Sequence, residues 1–120
     1  MSYETYRFIH LMGMVVLFVS LGGLIALAYS GKTGGLRKAL VAIHGTSMLV
    51  MLVAGFGLLA KIGISHGDLP GWVIGKLVLW LVLGGIVVLI RKQPSKGVAW
   101  VGVVSVLGFV TVALGVFKPF

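Results

Sequence analysis

"LPGWVIGKLVLWLVLGGIVVLIRKQ", Leu69 to Gln93, decides how this chain is read. Its uninterrupted apolar part, Leu77 to Ile90, is 14 residues long, whereas a helix that crosses a bilayer needs about 20. The stretch therefore spans a membrane only if its helix starts near Leu69 or Pro70 and carries Lys76 into the bilayer. Asp68 is expected to N-cap that helix, with Pro70 in the first turn and Arg91 at the end. An ionisable group kept inside a span is costly, and by default it raises a question of function.

The rest of the chain has the same character. Of its 120 residues, 59% are hydrophobic and only 10% are charged, with a mean hydropathy of +1.17. A soluble domain of this size needs a more charged surface. Apolar runs predict spans at about 6–29, 39–60, 69–91 and 98–117. Lipid offers the backbone no hydrogen bonds, so these runs must be helices. The expected fold is all-α: a four-helix transmembrane bundle, up-down-up-down, in one integral membrane domain covering 1–120. The first apolar run, Phe8 to Tyr29, is 22 residues. That exceeds a signal-peptide core, so despite the cleavage-like "ALA" at Ala26 to Ala28 it is read as a retained helix.

The formal charge of +8 would suggest nucleic acid in a soluble protein. Here the basic residues sit at the ends of apolar runs, so the partner is the lipid bilayer and no nucleic acid is expected. "SGKTGGLRK" and "RKQPSKG" place Lys32, Arg37, Lys38, Arg91, Lys92 and Lys96 on one side, against Arg7, Lys61 and Lys118 on the other. The positive-inside rule makes the first side cytoplasmic and both termini non-cytoplasmic, in what is read as a bacterial inner membrane. The chain has no cysteine, which excludes disulfides and thiolate chemistry. "LGGLIAL" at Leu21 and "LGGIVVL" at Leu83, each followed by a basic loop, suggest a weak repeat of two hairpins.

Three ionisable side chains fall within spans: His10, His44 and Lys76. His10 and Lys76 each lie about 7–9 Å inside the same end of their helices. His44 enters from the other end, opposite about Leu21 and some 15 Å deeper than His10. That offset argues against one haem iron between the two histidines and leaves His10 with Lys76 as the possible pair. Plainer roles compete. Lys76 can snorkel along Trp72 to the headgroups, and His10 can bond a neighbouring carbonyl. His44, beside Gly45, Thr46 and Ser47, suits an interhelical hydrogen bond, and His66 suits a solvated loop. No carboxylate lies inside a span, since Glu4 and Asp68 are both at helix ends. In the functional reading, His10 is an axial ligand for haem iron. Lys76 is then a second ligand if its amine is neutral, or a partner for a haem propionate if it is charged. Phe8, Trp72 and Trp80 would pack on the macrocycle.

"YRFIHLMGMV", "GFGLL", "GWVIGKLVLWLVL" and the terminal "KPF" together resemble the HemJ-type protoporphyrinogen oxidases. The Trp72–Lys76 spacing and the four-span plan also resemble the SirB family of small membrane proteins. The resemblance implies haem b as cofactor, with His10 and Lys76 matching the histidine and lysine implicated in its binding. It further implies, if the protein is an enzyme, a HemJ-like oxidoreductase acting on protoporphyrinogen IX. The Asn-Glu-X-Pro segment that precedes the last helix in that family has no counterpart here. The leading expectation is thus a membrane haem-b-binding protein with a redox role. The alternative is a cofactor-free accessory subunit that packs against other membrane protein subunits or as a homo-oligomer. A transporter is disfavoured by unbroken spans without carboxylates.

Overall fold

The computed structural model describes residues 2–31, 34–64 and 67–117. The helices are α1 (Tyr3–Ser30), α2 (Gly35–Lys61), α3 (Gly71–Lys92) and α4 (Gly97–Phe117), with a single 3-10 turn, Pro94–Lys96, before the last. All four are long and apolar enough to cross a membrane, and the chain is an integral membrane protein with an all-α four-helix architecture. Its longest dimension is 47 Å, close to the ~40–45 Å of a bilayer with its headgroups. Large apolar side chains such as Phe8, Val19, Phe109 and Phe117 point outward, as lipid allows and water would penalise. His66, Lys32 and Lys118 lie outside the described residues.

Local chemistry sets the helix ends. Ser2 caps α1 by accepting a hydrogen bond from the Thr5 amide, so the helix begins five residues before the apolar run. Gly31 ends it in the left-handed conformation (φ 74°), with its N–H on the carbonyls of Ala28 and Leu27, a position that favours glycine. The start of α3 differs from expectation. Pro70, in extended conformation with ψ 157°, is the N-cap, and Asp68 lies two residues before that cap. For Asp68 to cap, Leu69 would have to be helical, and a residue preceding proline is driven out of that region. Lys76 is nonetheless the sixth residue of α3, so the helix does carry it into the span.

Close approach of α1 and α2 organises the bundle. These two are packed most intimately, α1 also touches α3 and α4, and α3 pairs with α4. Glycine makes the approach possible: a Cβ on Gly13 would lie 2.9 Å from Met51 Cγ, and one on Gly57 would run into the Tyr6 ring. The buried cluster is Leu17, Leu21 and Ile25 of α1, Met48 and Met51 of α2, Leu83, Ile86 and Ile90 of α3, and Val104 of α4. Most of these residues lie in the half of the bundle nearer Arg37, Lys38, Arg91, Lys92 and Lys96. We call that side the basic end and the opposite side, where the chain starts and finishes, the terminal end. Solid packing therefore fills the basic half.

Gly57→Ala is expected to lower the midpoint of thermal or SDS-induced unfolding, since overpacking costs about 1–3 kcal/mol. Gly22→Ala, whose added Cβ meets nothing within 4 Å, is the control and should leave the midpoint unchanged or slightly raised.

Candidate functional site

The terminal half is hollow. A half-open cavity of about 510 Å³ lies there, lined by residues of all four helices, and its size falls within the usual range for ligand pockets. The α1 wall is Tyr3, Arg7, His10, Leu11 and Met14, spaced as one face of a helix. Trp72, Lys76 and Trp80 line it from α3, and Thr111 and Gly115 from α4. The four residues singled out in the sequence, His10, Lys76, Trp72 and Trp80, thus share one cavity.

Each is positioned by an identifiable contact. His10 Nδ1 donates to the Met51 carbonyl of α2 at 3.0 Å, which leaves Nε2 as the nitrogen with a lone pair. Gly55 lies opposite the ring, where an added Cβ would stand 3.4 Å from His10 Cε1, in ordinary van der Waals contact. A carbonyl bond of this kind was the plainer role considered for His10. It is equally the contact that fixes the tautomer of a metal-binding histidine. Lys76 is half-buried and crosses to α4, where its Nζ lies 3.0 Å from the position a Gly115 Cβ would take. It faces the bundle interior rather than the headgroups beside Trp72. Trp80 donates its indole N–H to the Met48 carbonyl at 2.9 Å, so its polar atom is satisfied and its carbons are left for the cavity wall. The hydroxyl of Thr111 is likewise taken, by the Leu107 carbonyl.

Two residues stand apart. His44 donates through Nε2 to the Leu83 carbonyl of α3 at 3.2 Å, the interhelical bond expected of it. On α2 it is seven to eleven residues from the Met51 and Gly55 that hold His10, roughly 10–16 Å at 1.5 Å per residue, so the two histidines do not meet. Phe8 is exposed and does not line the cavity, contrary to expectation. Two residues from His10, it projects from nearly the opposite face of α1.

Arg7, Met14, Thr111 and Gly115 belong to the lining but were not picked out from the sequence. Arg7 counted there only as a helix-end charge, although its three-residue spacing from His10 places both on one face. Gly115 carries no sequence signal at all. Among the described residues there is no group of three or more His, Asp or Glu that could hold a metal ion. A metal seated here would have to bring most of its own ligands.

Trp80→Phe keeps an aromatic ring but removes the N–H given to Met48 together with part of the indole bulk. It should destabilise the folded protein in detergent by about 0.6–1.7 kcal/mol, the range found for hydrogen bonds between spanning helices. An unchanged unfolding midpoint would show that this bond contributes nothing.

Compared with protein-family models, with curated proteins and with solved structures, the chain gives no match in any of the three. The chemistry of the cavity itself carries the functional reading.

Proposed function

We propose that the protein is a membrane haem-b-binding protein with a redox role, the cofactor seated in the terminal cavity and His10 serving as axial ligand. The supporting observation is the His10 ring itself. Its Nδ1–H is tied to Met51 while the ring lines a cavity walled by Trp72 and Trp80. The remaining residues fit the same group. An imidazole with its second nitrogen held by a carbonyl is the usual protein ligand for haem iron. A macrocycle also supplies the metal ligands that the described residues lack. Lys76 serves as propionate partner if charged or as second ligand if neutral. Bound haem would supply one-electron redox chemistry at its iron. The chain's own part is to orient the imidazole, exclude water with apolar walls and place a cation near Gly115. Haem binding is favoured over protoporphyrinogen oxidation, because the described lining offers no carboxylate base. The orientation that goes with this reading puts both termini on the non-cytoplasmic side of a bacterial inner membrane.

One observation favours a second reading. α4 is the least buried helix, and a shallow apolar groove over Ala99, Gly102, Val103 and Val106 runs along it. Such a face suits an accessory subunit or a homo-oligomer.

Protein purified from cells supplied with haem should show a Soret band that is lost in His10→Ala and weakened in Lys76→Ala. A colourless protein that co-purifies stoichiometrically with other membrane subunits would overturn the haem reading in favour of the second.

Alkaline phosphatase fused after Phe120 should be active and a green fluorescent fusion there dark. The reverse pattern would invert the orientation.

A further inference from the structure

The basic end concentrates charge without a counter-charge. Arg37 and Lys38 lie in the first turn of α2, Arg91 and Lys92 close α3, and Lys96 stands in the 3-10 turn between α3 and α4. Glu4 and Asp68, the chain's two acids, lie near the start of α1 and just before α3, both at the terminal end. No carboxylate side chain of this molecule can therefore pair with the basic end. Helix electrostatics account for only half of the cluster. Cations in a last turn, such as Arg91 and Lys92, suit the macrodipole, but in a first turn, as Arg37 and Lys38 are, they oppose it.

The fold brings two of these cations to one level. The His44–Leu83 bond ties α2 to α3 at a common height. Arg37 is seven residues from His44 and Arg91 eight from Leu83, so both stand roughly 10–12 Å beyond that bond toward the basic end. Seven residues are nearly two whole turns, so Arg37 shares the side of α2 that His44 turns toward α3. It is half-buried, whereas Lys38, Arg91, Lys92 and Lys96 are exposed. An arginine on the side facing the cationic end of a neighbouring helix is repelled unless an anion lies between them. Aromatic side chains mark the headgroup level here. The Trp100 indole N–H donates to the Gln93 carbonyl at the α3–α4 turn, and the exposed Tyr29 ring lies over Gly97, as aromatics do at a membrane interface. The anion within reach at that level is a lipid phosphate.

We propose that the start of α2 and the end of α3 form a binding surface for an anionic phospholipid, its phosphate shared by Arg37 and Arg91. The planar fork of an arginine takes two phosphate oxygens at once, which a lysine cannot do. Lys38, Lys92 and Lys96 add attraction without direction. The surface lies at the opposite end of the bundle from the cavity, so it stands or falls independently of the haem reading.

The test offers the full-length protein, in neutral detergent, equal amounts of dioleoyl phosphatidylglycerol and dioleoyl phosphatidylcholine, and counts bound lipid by native mass spectrometry. Phosphatidylglycerol should bind about tenfold more tightly. Arg37→Gln and Arg91→Gln should each cut that preference about fivefold, the worth of roughly one cation beside anionic headgroups, while Lys96→Gln should change it by less than about twofold. Removing a cation from a first turn relieves α2 rather than weakening it, so Arg37→Gln should fold as the natural chain does. The unfolding midpoint gives a second reading. Phosphatidylglycerol should raise it above the value in phosphatidylcholine for the natural chain but not for Arg37→Gln. Equal binding of the two lipids would overturn the proposal. So would an equal loss of preference in all three variants, which marks a diffuse field rather than a site. A matching rise in midpoint with inorganic phosphate would overturn it too, since the ligand would then be a free anion.

Discussion

In a bilayer, apolar packing gives a helix little reason to prefer another helix over a lipid tail, so the few polar contacts between helices decide how they align. Among the described residues, His10, Trp80 and His44 each make such a bond, from a ring N–H to a backbone carbonyl. His10 of α1 bonds Met51 of α2, Trp80 of α3 bonds Met48 of α2, and His44 of α2 bonds Leu83 of α3. Every one involves α2. The two between α2 and α3 run in opposite directions, so they fix both the sliding and the rotation of one helix on the other. The α2–α3 backbones are in only sparse contact, which leaves this reciprocal pair as a main tie between them.

From that alignment follows the division of the bundle into a filled half and a hollow half. On the basic side of the tie, Leu21, Leu83, Ile86 and Ile90 close the interior almost completely. On the terminal side, Gly55, Gly75 and Gly115 stand where larger residues would fill the space, and a histidine, a lysine and two indoles line it instead. A cavity forfeits packing energy, and desolvation of the half-buried Lys76 adds to that cost. A ligand that fills the one and matches the other would return stability in proportion to its affinity.

The number, approximate extent and order of the helices were legible because span length and backbone satisfaction leave an apolar chain no other choice. The shared level of His10 and Lys76 was legible too, because depth needs only a residue count and a known rise. Rotation was not. Lipid and protein interior are both apolar, so the amphipathic signal that orients a helix in water is faint here. Phe8 could be mistaken for a cavity residue, and Arg7 for a mere topological charge. The α3 start was misread for a local reason, since the restriction that Pro70 places on Leu69 outweighs the capping preference of Asp68. The repeat is partly visible in the packing. Leu21 and Leu24 of α1 correspond to Leu83 and Ile86 of α3, and all four are buried. The adjoining glycines do different things: Gly23 admits Leu40, while its counterpart Gly85 faces open space.

Lys76 shows how a contact invisible in sequence decides between roles. A lysine less than two turns into a spanning helix is close enough to the interface to snorkel, and Trp72 one turn away would guide it. What leaves room for it is the α4 residue opposite: a Cβ at Gly115 would stand 3.0 Å from its Nζ, so the ammonium would have to give way. An inward ammonium gives up headgroups and water that were within its reach. Such an arrangement costs free energy, which a carbonyl or an anion beside the ammonium offsets. The same cavity holds an imidazole whose second nitrogen is tied to Met51 and an arginine nearer the mouth. An imidazole, an ammonium and a guanidinium thus contribute to the lining of one largely apolar space, and which helix face each occupies is set by contacts that a residue count does not reveal.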